Sequence, residues 1–106
     1  MSSVTEETLS LRAAIESNRV ALDAVLGRYG ATNPRIFGSV ARGDARSDSD
    51  LDILVDLDAD GGNSLLRIAG IGEEFSRILG VRVDVVTGAL LRDPVSTTVR
   101  RDAVAL

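Results

Sequence analysis

Apolar residues recur along the chain with two different periods, and each period predicts a different kind of element. Between Thr5 and Tyr29 the apolar side chains are three or four residues apart, as on one face of a helix. Ser17 and Asn18, in the middle of this segment, offer a helix cap, and Gly30 ends it. The segment therefore predicts two successive helices.

Two later segments alternate apolar and polar residues, which is the period of a half-buried strand. One runs from Asp50 to Asp56 and the other from Val81 to Thr87. Pro34–Phe37 is a shorter strand candidate. The residues from Gly38 to Ser49 are small, polar or charged, and they predict a loop with one helical turn.

A longer amphipathic pattern follows between Ser64 and Leu79, and it predicts a helix. Gly70 and Gly72 lie inside this pattern, at a cost of about 1 kcal/mol each relative to alanine. Residues 89–106 predict a helix interrupted by Pro94 that ends in a short apolar piece. The predicted apolar stripe of the longer helix consists of Leu65, Ile68, Phe75 and Ile78 or Leu79.

The length of 106 residues predicts one domain, spanning residues 1–106. No apolar run approaches the roughly 20 residues that span a bilayer. The first residues lack the basic and apolar regions of a secretion signal, so we expect a cytoplasmic protein. These features predict no association with a membrane.

Composition excludes several kinds of chemistry. The chain contains no cysteine, histidine or lysine, which excludes disulfides, imidazole ligands, Ser-His relays and a lysine-based phosphate loop. The net charge of -4 also opposes the basic surface that nucleic-acid binding usually requires. Any catalysis must therefore use carboxylates, hydroxyls, arginines or a metal ion, and a nucleic-acid partner is not expected.

Aspartates are concentrated between Asp44 and Asp60. Asp50 and Asp52 lie two residues apart in the first alternating strand, so both carboxylates leave the same face about 6 to 7 Å apart. Two like charges at this spacing need a counter-charge, and Mg²⁺ prefers carboxylate and phosphate oxygens. Asp84, in the second alternating strand, is the best candidate for a third carboxylate on the same face.

A phosphate-binding turn precedes the aspartates. Gly38 and Ser39 follow a strand candidate, and their small side chains let a polyphosphate approach the backbone N–H groups. The Ser39 hydroxyl would be a further donor, although it could equally cap the next turn, and the two roles are compatible. Arg42 could contact phosphate or acceptor, or serve only as a counter-ion to the aspartates.

Together these residues form the pattern G-S-x10-D-x-D, from Gly38 to Asp52. The string from Phe37 to Val55, FGSVARGDARSDSDLDILV, resembles the minimal (MNT-type) nucleotidyltransferases of the DNA polymerase beta superfamily. The segment Gly80–Thr87 looks like this family's third-carboxylate strand. The resemblance implies an α/β (α+β) fold, with a small mixed β-sheet flanked by helices.

The resemblance also implies an activity, which is transfer of AMP from ATP to an acceptor hydroxyl with release of pyrophosphate. Asp50 and Asp52 would bind two Mg²⁺ ions, and Asp84 would bind the catalytic one. Gly38 and Ser39 would hold the β- and γ-phosphates. Proteins of this group commonly act as antitoxins of a HEPN-domain toxin, by transferring AMP to a toxin tyrosine, so the resemblance implies such a partner.

Other interpretations remain open. Asp84 could simply pair with Arg82 or face water at a sheet edge, and Asp44 and Asp48 are better explained as solvated loop residues. Two rival functions are an antitoxin that blocks its toxin by binding alone, and a nucleotidyltransferase for a small molecule. The short, acidic chain favours a protein acceptor over both RNA and antibiotics.

A second acidic string follows the first alternating strand. Residues 56–61, D-L-D-A-D-G, match the first half of a calcium-binding EF-hand loop. The twelfth position is Arg67 instead of glutamate, and the preceding residues predict a strand instead of a helix. We therefore interpret this string as an acidic turn that leads from the strand into the next helix.

Overall fold

A computed structural model describes residues 4–46, 50–88 and 104–106. The helices are α1 (Glu6–Ser17), α2 (Arg19–Arg28), α3 (Gly38–Arg42) and α4 (Ser64–Leu79). The strands are β1 (Ala31–Phe37), β2 (Leu51–Leu57), β3 (Val83–Thr87) and β4 (Val104–Ala105). The predicted Pro94-interrupted helix falls largely outside the described residues.

The four strands form one sheet in the order β3-β2-β1-β4. Strand β1 runs antiparallel to both β2 and β4, whereas β2 and β3 are parallel. Parallel neighbours need a crossover connection, and α4 supplies it. The predicted α/β fold, a small mixed sheet flanked by helices, is confirmed.

The break between the first two helices lies at the predicted residues. Thr5 caps α1 at its N-terminus, because its side-chain oxygen accepts the N–H of Thr8. Asn18 ends α1, and its side-chain amide donates to the carbonyl of Ala14 at 2.8 Å. This asparagine therefore caps the end of α1, and α2 begins without a side-chain cap.

One face of the sheet packs against the helices and forms the core. Alternate residues of β2 point into it, and Leu51, Ile53 and Val55 are fully buried. Val83 and Val85 of β3 are buried on the same side. The main helical contributions to the core come from Leu11, Ile15, Leu22, Val25, Leu26, Ile71 and Phe75.

The apolar stripe of α4 differs from its prediction. Leu65 was expected in the core, but it is 62% exposed, and Ile71 is fully buried instead. The two internal glycines permit close packing. A Cβ on Gly72 would lie 3.3 Å from the carbonyl oxygen of Val83, and one on Gly70 would lie 2.6 Å from the ring of Tyr29.

Strand boundaries also differ from their predictions. Strand β1 starts at Ala31 instead of Pro34, with a register irregularity between Thr32 and Arg35, and Asn33 there has a φ of 52°. Strand β3 starts at Val83, two residues later than predicted. The C-terminal apolar piece pairs with β1 as the short edge strand β4, which the sequence did not reveal.

None of the helices in residues 4–46, 50–88 and 104–106 has the length and hydropathy needed to cross a membrane.

Candidate active site

The outer face of the sheet, opposite the core, carries the candidate carboxylates. Asp52 lies in β2 between the buried Leu51 and Ile53, so its side chain leaves the other face. The register pairs Asp52 with Asp84 of β3 on one side and with Phe37 of β1 on the other. The predicted proximity of Asp52 and Asp84 is therefore confirmed as direct cross-strand neighbours.

Asp50 precedes the first residue of β2, and its surroundings answer a question left open by the sequence. A carboxylate oxygen of Asp50 lies 3.8 Å from the guanidinium of Arg82. Arg82 therefore pairs with Asp50 and not with Asp84. Asp84 is exposed and forms no ion pair with the other described residues.

The electrostatics of Asp52 show an excess of negative charge. Burial, followed by the neighbouring carboxylates of Asp84 and Asp50, raises the pKa of the Asp52 carboxyl to about 6. Arg42 acts in the opposite sense but does not compensate. A strongly raised carboxyl pKa within a cluster of like charges is typical of a functional site.

Gly38, in the turn predicted to bind phosphate, lies against Asp52. Its φ is +73°, a value that side chains disfavour, and a Cβ built on it would lie 2.5 Å from the Asp52 carboxylate oxygen. The N-cap of α3 is Phe37, which offers no capping side chain. The first N–H groups of α3 therefore receive no hydrogen bond from a capping side chain.

The position of Ser39 rules out one of its two predicted roles. Ser39 is the second residue of α3 and not its N-cap. Its hydroxyl forms no hydrogen bond with the other described residues, so it is available to a ligand. The interpretation of Ser39 as a structural cap is wrong, and its role as a phosphate contact stays a prediction.

Arg42 ends α3, and both of its proposed roles stay compatible with its position. Its Nε lies 3.6 Å from a carboxylate oxygen of Asp44, and both side chains are more than half exposed. Its charge also favours ionisation of Asp52, which lowers the pKa of that carboxyl. Asp44 is a solvated loop residue, as predicted, and Asp48 lies outside the described residues.

Helix α1 holds the loop that follows α3, a role that the sequence did not reveal. The buried Thr8 hydroxyl accepts the N–H of Ala45 at 3.0 Å, and the Thr5 hydroxyl donates to the Ala45 carbonyl at 2.6 Å. The Arg12 guanidinium donates to the Val40 carbonyl at 3.1 Å. The only sequence signal was two threonines spaced three apart at a helix start.

The second acidic string is a structural turn, as predicted. Asp56 accepts a 2.8 Å hydrogen bond from Arg35, and Asp58 accepts one of the same length from Arg67. Arg67 is only 6% exposed and also donates to the carbonyls of Tyr29, Gly30 and Asp58. This arginine therefore ties the turn before β1 to the turn before α4.

The carboxylates fit a cation that is completed by phosphate oxygens. The negative charges of Asp84 and Asp50 beside Asp52 are not balanced by Arg42. Carboxylate oxygens are ligands that suit Mg²⁺. Among the residues that the structure describes, however, no three acidic side chains are grouped closely enough to hold a metal ion alone. Mg²⁺ usually binds through one or two carboxylates, water and substrate phosphates, and this arrangement agrees with that mode.

The mixed sheet thus carries two neighbouring carboxylates beside a glycine-serine turn. Comparison with known families agrees, because residues 20–105 match the model of the nucleotidyltransferase domain. The chain belongs to this family and is a nucleotidyltransferase, as the sequence predicted.

Two of the relatives that this chain resembles are named as protein adenylyltransferases. The chain is 40% identical over 77 residues to the protein adenylyltransferase MntA of Thermococcus cleftensis, covering 73% of this chain and 76% of that protein. It is 31% identical over 78 residues to MJ1379 of Methanocaldococcus jannaschii, which is assigned as a protein adenylyltransferase, covering 73% and 78%.

Two solved structures share the fold. One, assigned as a minimal nucleotidyltransferase, superposes with a TM-score of 0.76 and is 41% identical, covering 91% of this chain and 95% of that one. The other is a toxin-antitoxin with AMP-PNP, with a TM-score of 0.67 and 21% identity, covering 83% and 71%. At that identity the second likeness supports the fold alone.

Proposed function

We propose that this chain transfers AMP from ATP to a hydroxyl of a partner protein, and that the partner is a HEPN-domain toxin neutralised by modification of a tyrosine. The observation that carries the proposal is the pair Asp52 and Asp84, side by side on the sheet face and next to Gly38. In this proposal residues 1–106 act as one domain in the cytoplasm, without a nucleic-acid partner.

The carboxylates of Asp50, Asp52 and Asp84 would hold two Mg²⁺ ions together with the substrate phosphates. When bound, such ions neutralise the charge that develops on the attacking and leaving oxygens. The raised pKa of Asp52 supports this assignment, because a bound cation would offset both the burial and the repulsion that raise it.

The turn at Gly38 and Ser39 would bind the β- and γ-phosphates of ATP. Its uncapped N–H groups are donors for anionic oxygens, and the hydroxyl of Ser39 adds another. Arg42 is half exposed at the end of the same helix, and we assign it to the nucleotide phosphates. These contacts would place the α-phosphorus against the face that carries Asp52 and Asp84.

The transfer itself exchanges one oxygen-phosphorus bond for another. The acceptor oxygen forms a bond to the α-phosphorus, while the bond from that phosphorus to the bridging oxygen breaks and pyrophosphate leaves with the electron pair. The hydroxyl proton passes to the Asp84 carboxylate, which is exposed and can release it to solvent. Every atom of ATP and acceptor is then accounted for.

The relatives support the choice of acceptor and donor. MntA of T. cleftensis is named a protein adenylyltransferase, and MJ1379 carries the same assignment. Both names agree with a nucleotide donor and a protein acceptor. They favour a protein acceptor over a small molecule.

Mass spectrometry of the acceptor tests the proposal. The protein is incubated with ATP, Mg²⁺ and the product of its neighbouring gene, and we expect that product to gain the mass of AMP residues at a tyrosine. The variant Asp50→Ala/Asp52→Ala should give no gain. Asp60→Asn, in the exposed turn after β2, is the matched control and should behave like the unaltered protein.

Other outcomes would identify the rival functions. Stable binding without a change of mass, together with toxin neutralisation by Asp52→Asn, would establish an antitoxin that acts by binding alone. Pyrophosphate release that depends on an added small alcohol, and not on the partner protein, would establish a small-molecule nucleotidyltransferase.

A further inference from the structure

A groove of about 450 Å³ runs along the outer edge of β3, between this strand and α4. Its apolar lining includes Leu65 and Ile68 of α4 and Val85 of β3. Asp84 lies on its rim, so the groove is continuous with the candidate active site. We call it the β3 groove.

The outer edge of β3 borders this groove, because Val83, Asp84 and Val85 all line it. Within the described residues, β3 has a partner strand on one side only. The N–H of Leu51 donates to the Arg82 carbonyl across the β2–β3 boundary, whereas the N–H of Val83 points the other way, to the Ser76 hydroxyl at 3.1 Å. The strand alternation then directs the peptide groups of Val85 toward the outer edge as well.

We propose that an extended segment of the acceptor protein adds to this edge as a further strand and thereby places its hydroxyl residue beside Asp84. The proposal deepens the proposed function and rests on it. Residues directly opposite each other on paired strands share a face, with Cβ atoms about 4.5 to 5.5 Å apart. A side chain opposite Asp84 would therefore emerge on the face that carries Asp52.

The lining of the groove defines the chemistry of this segment. Leu65 is 62% exposed at the mouth of the groove, which suits an apolar side chain of the partner. Glu73 and Asp84 line the rim, and Asp50 and Asp52 lie beyond it. The nearby cations Arg77 and Arg82 each already contact an acid, at 3.1 and 3.8 Å.

Among the residues that the structure describes, acidic groups therefore outnumber cationic ones around the groove, in a chain with a net charge of -4. Charge complementarity then selects a segment that alternates an apolar residue facing α4 with a basic residue facing the rim. Strand addition of this kind obtains affinity from backbone hydrogen bonds and specificity from alternate side chains.

Substitutions in the groove test the proposal without touching the catalytic carboxylates. Leu65→Glu/Ala69→Glu places charge on the groove wall, and Leu65 lies in the first turn of α4, where a negative charge favours the helix. Val20→Glu is the matched control, because Val20 is 86% exposed on α2 and does not line the groove.

With the neighbouring-gene product as probe, the groove variant should raise both the Kd of the complex and the KM for that acceptor by about tenfold or more. The value of kcat and the affinity for ATP should stay within about twofold, as should every value for Val20→Glu. Glu73→Lys should also raise the KM if the segment is basic.

The outcomes separate this proposal from the proposed function. Unchanged Kd and KM in the groove variant, or no complex at all, would overturn strand addition at β3. Groove-dependent binding without AMP transfer would leave the docking proposal standing and overturn the proposed function. If the groove variant only dissociates a dimer of this chain, a second copy occupies the groove and the docking proposal is wrong.

Discussion

Asp52 is the residue whose chemistry is most altered by the fold. Its pKa of about 6 exceeds the ordinary 3.8, so between these values the folded protein binds a proton that the unfolded chain has released. The free energy of unfolding therefore falls as the pH rises from 3.8 to about 6. Above this range it falls no further, because Asp52 is then ionised in both the folded and the unfolded protein. The metal-free protein is thus destabilised by the ionised form of its own site.

Asp52→Asn should consequently stabilise the metal-free protein. Because the side chain is half exposed, we expect a gain on the order of 1 kcal/mol at pH 8, and little change at pH 4. Urea denaturation at the two pH values measures it. An equal effect at both values, or a gain of the same size in Asp60→Asn, would contradict the assigned cause.

Gly38→Ala should reduce AMP transfer more than stability. Alanine at a φ of +73° costs about 1–2 kcal/mol, and its Cβ would also displace the Asp52 carboxylate. Gly80→Ala is a close control, because Gly80 has a φ of +72° with open space around its Cβ. Both variants should lose similar stability in denaturation, but only Gly38→Ala should lose transfer, by about a hundredfold or more.

The positions of most site residues were predictable from sequence, because strand alternation alone places Asp52 and Asp84 on one face. Their pairing could not be derived from alternation, since the register depends on how α4 connects the two strands. The role of Ser39 as a cap was predicted wrongly, because the helix boundary falls at Phe37, one residue before the glycine.

At the scale of elements, Arg67 holds two turns together from inside α4. Arg67→Met should lower the free energy of unfolding by about 3 kcal/mol, since the buried guanidinium is lost and three part-buried carbonyls and Asp58 lose their donor. Arg77→Met on the same helix removes only an exposed pair and should change stability by less than about 0.5 kcal/mol. Equal losses in the two variants would contradict the role of Arg67.

Helix α1 supports the active-site loop through Thr8. Thr8→Val keeps the shape but removes the acceptor for the N–H of Ala45, so we expect a loss of about 1–2 kcal/mol and a higher KM for ATP. Thr32→Val, at an exposed position of β1, should leave both values nearly unchanged. Steady-state kinetics with varied ATP distinguish a positioning role, which raises KM, from general destabilisation.

Local patterns predicted helices α1, α2 and α4 and strands β2 and β3 with small errors at their ends. The predictions were wrong where tertiary contacts determine which side chains are buried. Leu65 fits the helical stripe, yet it is 62% exposed, whereas Arg67 is buried because its guanidinium donates to backbone carbonyls. Strand β4 has only two residues, too few for any period to be visible.

At the scale of the whole molecule, the two faces of the sheet carry different kinds of side chain. The apolar face packs on α1, α2 and α4, and the opposite face presents the carboxylates. The family could be recognised from sequence because the motif from Gly38 to Asp52 is short-range. The β3 groove could not be recognised from the sequence, because it is formed by two elements that the fold brings together.

The central claim is that the Asp52 and Asp84 face transfers a nucleotide to a partner protein. The most direct measurement compares ATP labelled at the α-phosphate with ATP labelled at the γ-phosphate, in reactions with Mg²⁺ and the neighbouring-gene product. We predict that only the α-label becomes protein-bound, and that Asp52→Asn abolishes it while Asp60→Asn does not. Incorporation of the γ-label, or undiminished incorporation in Asp52→Asn, would contradict the account.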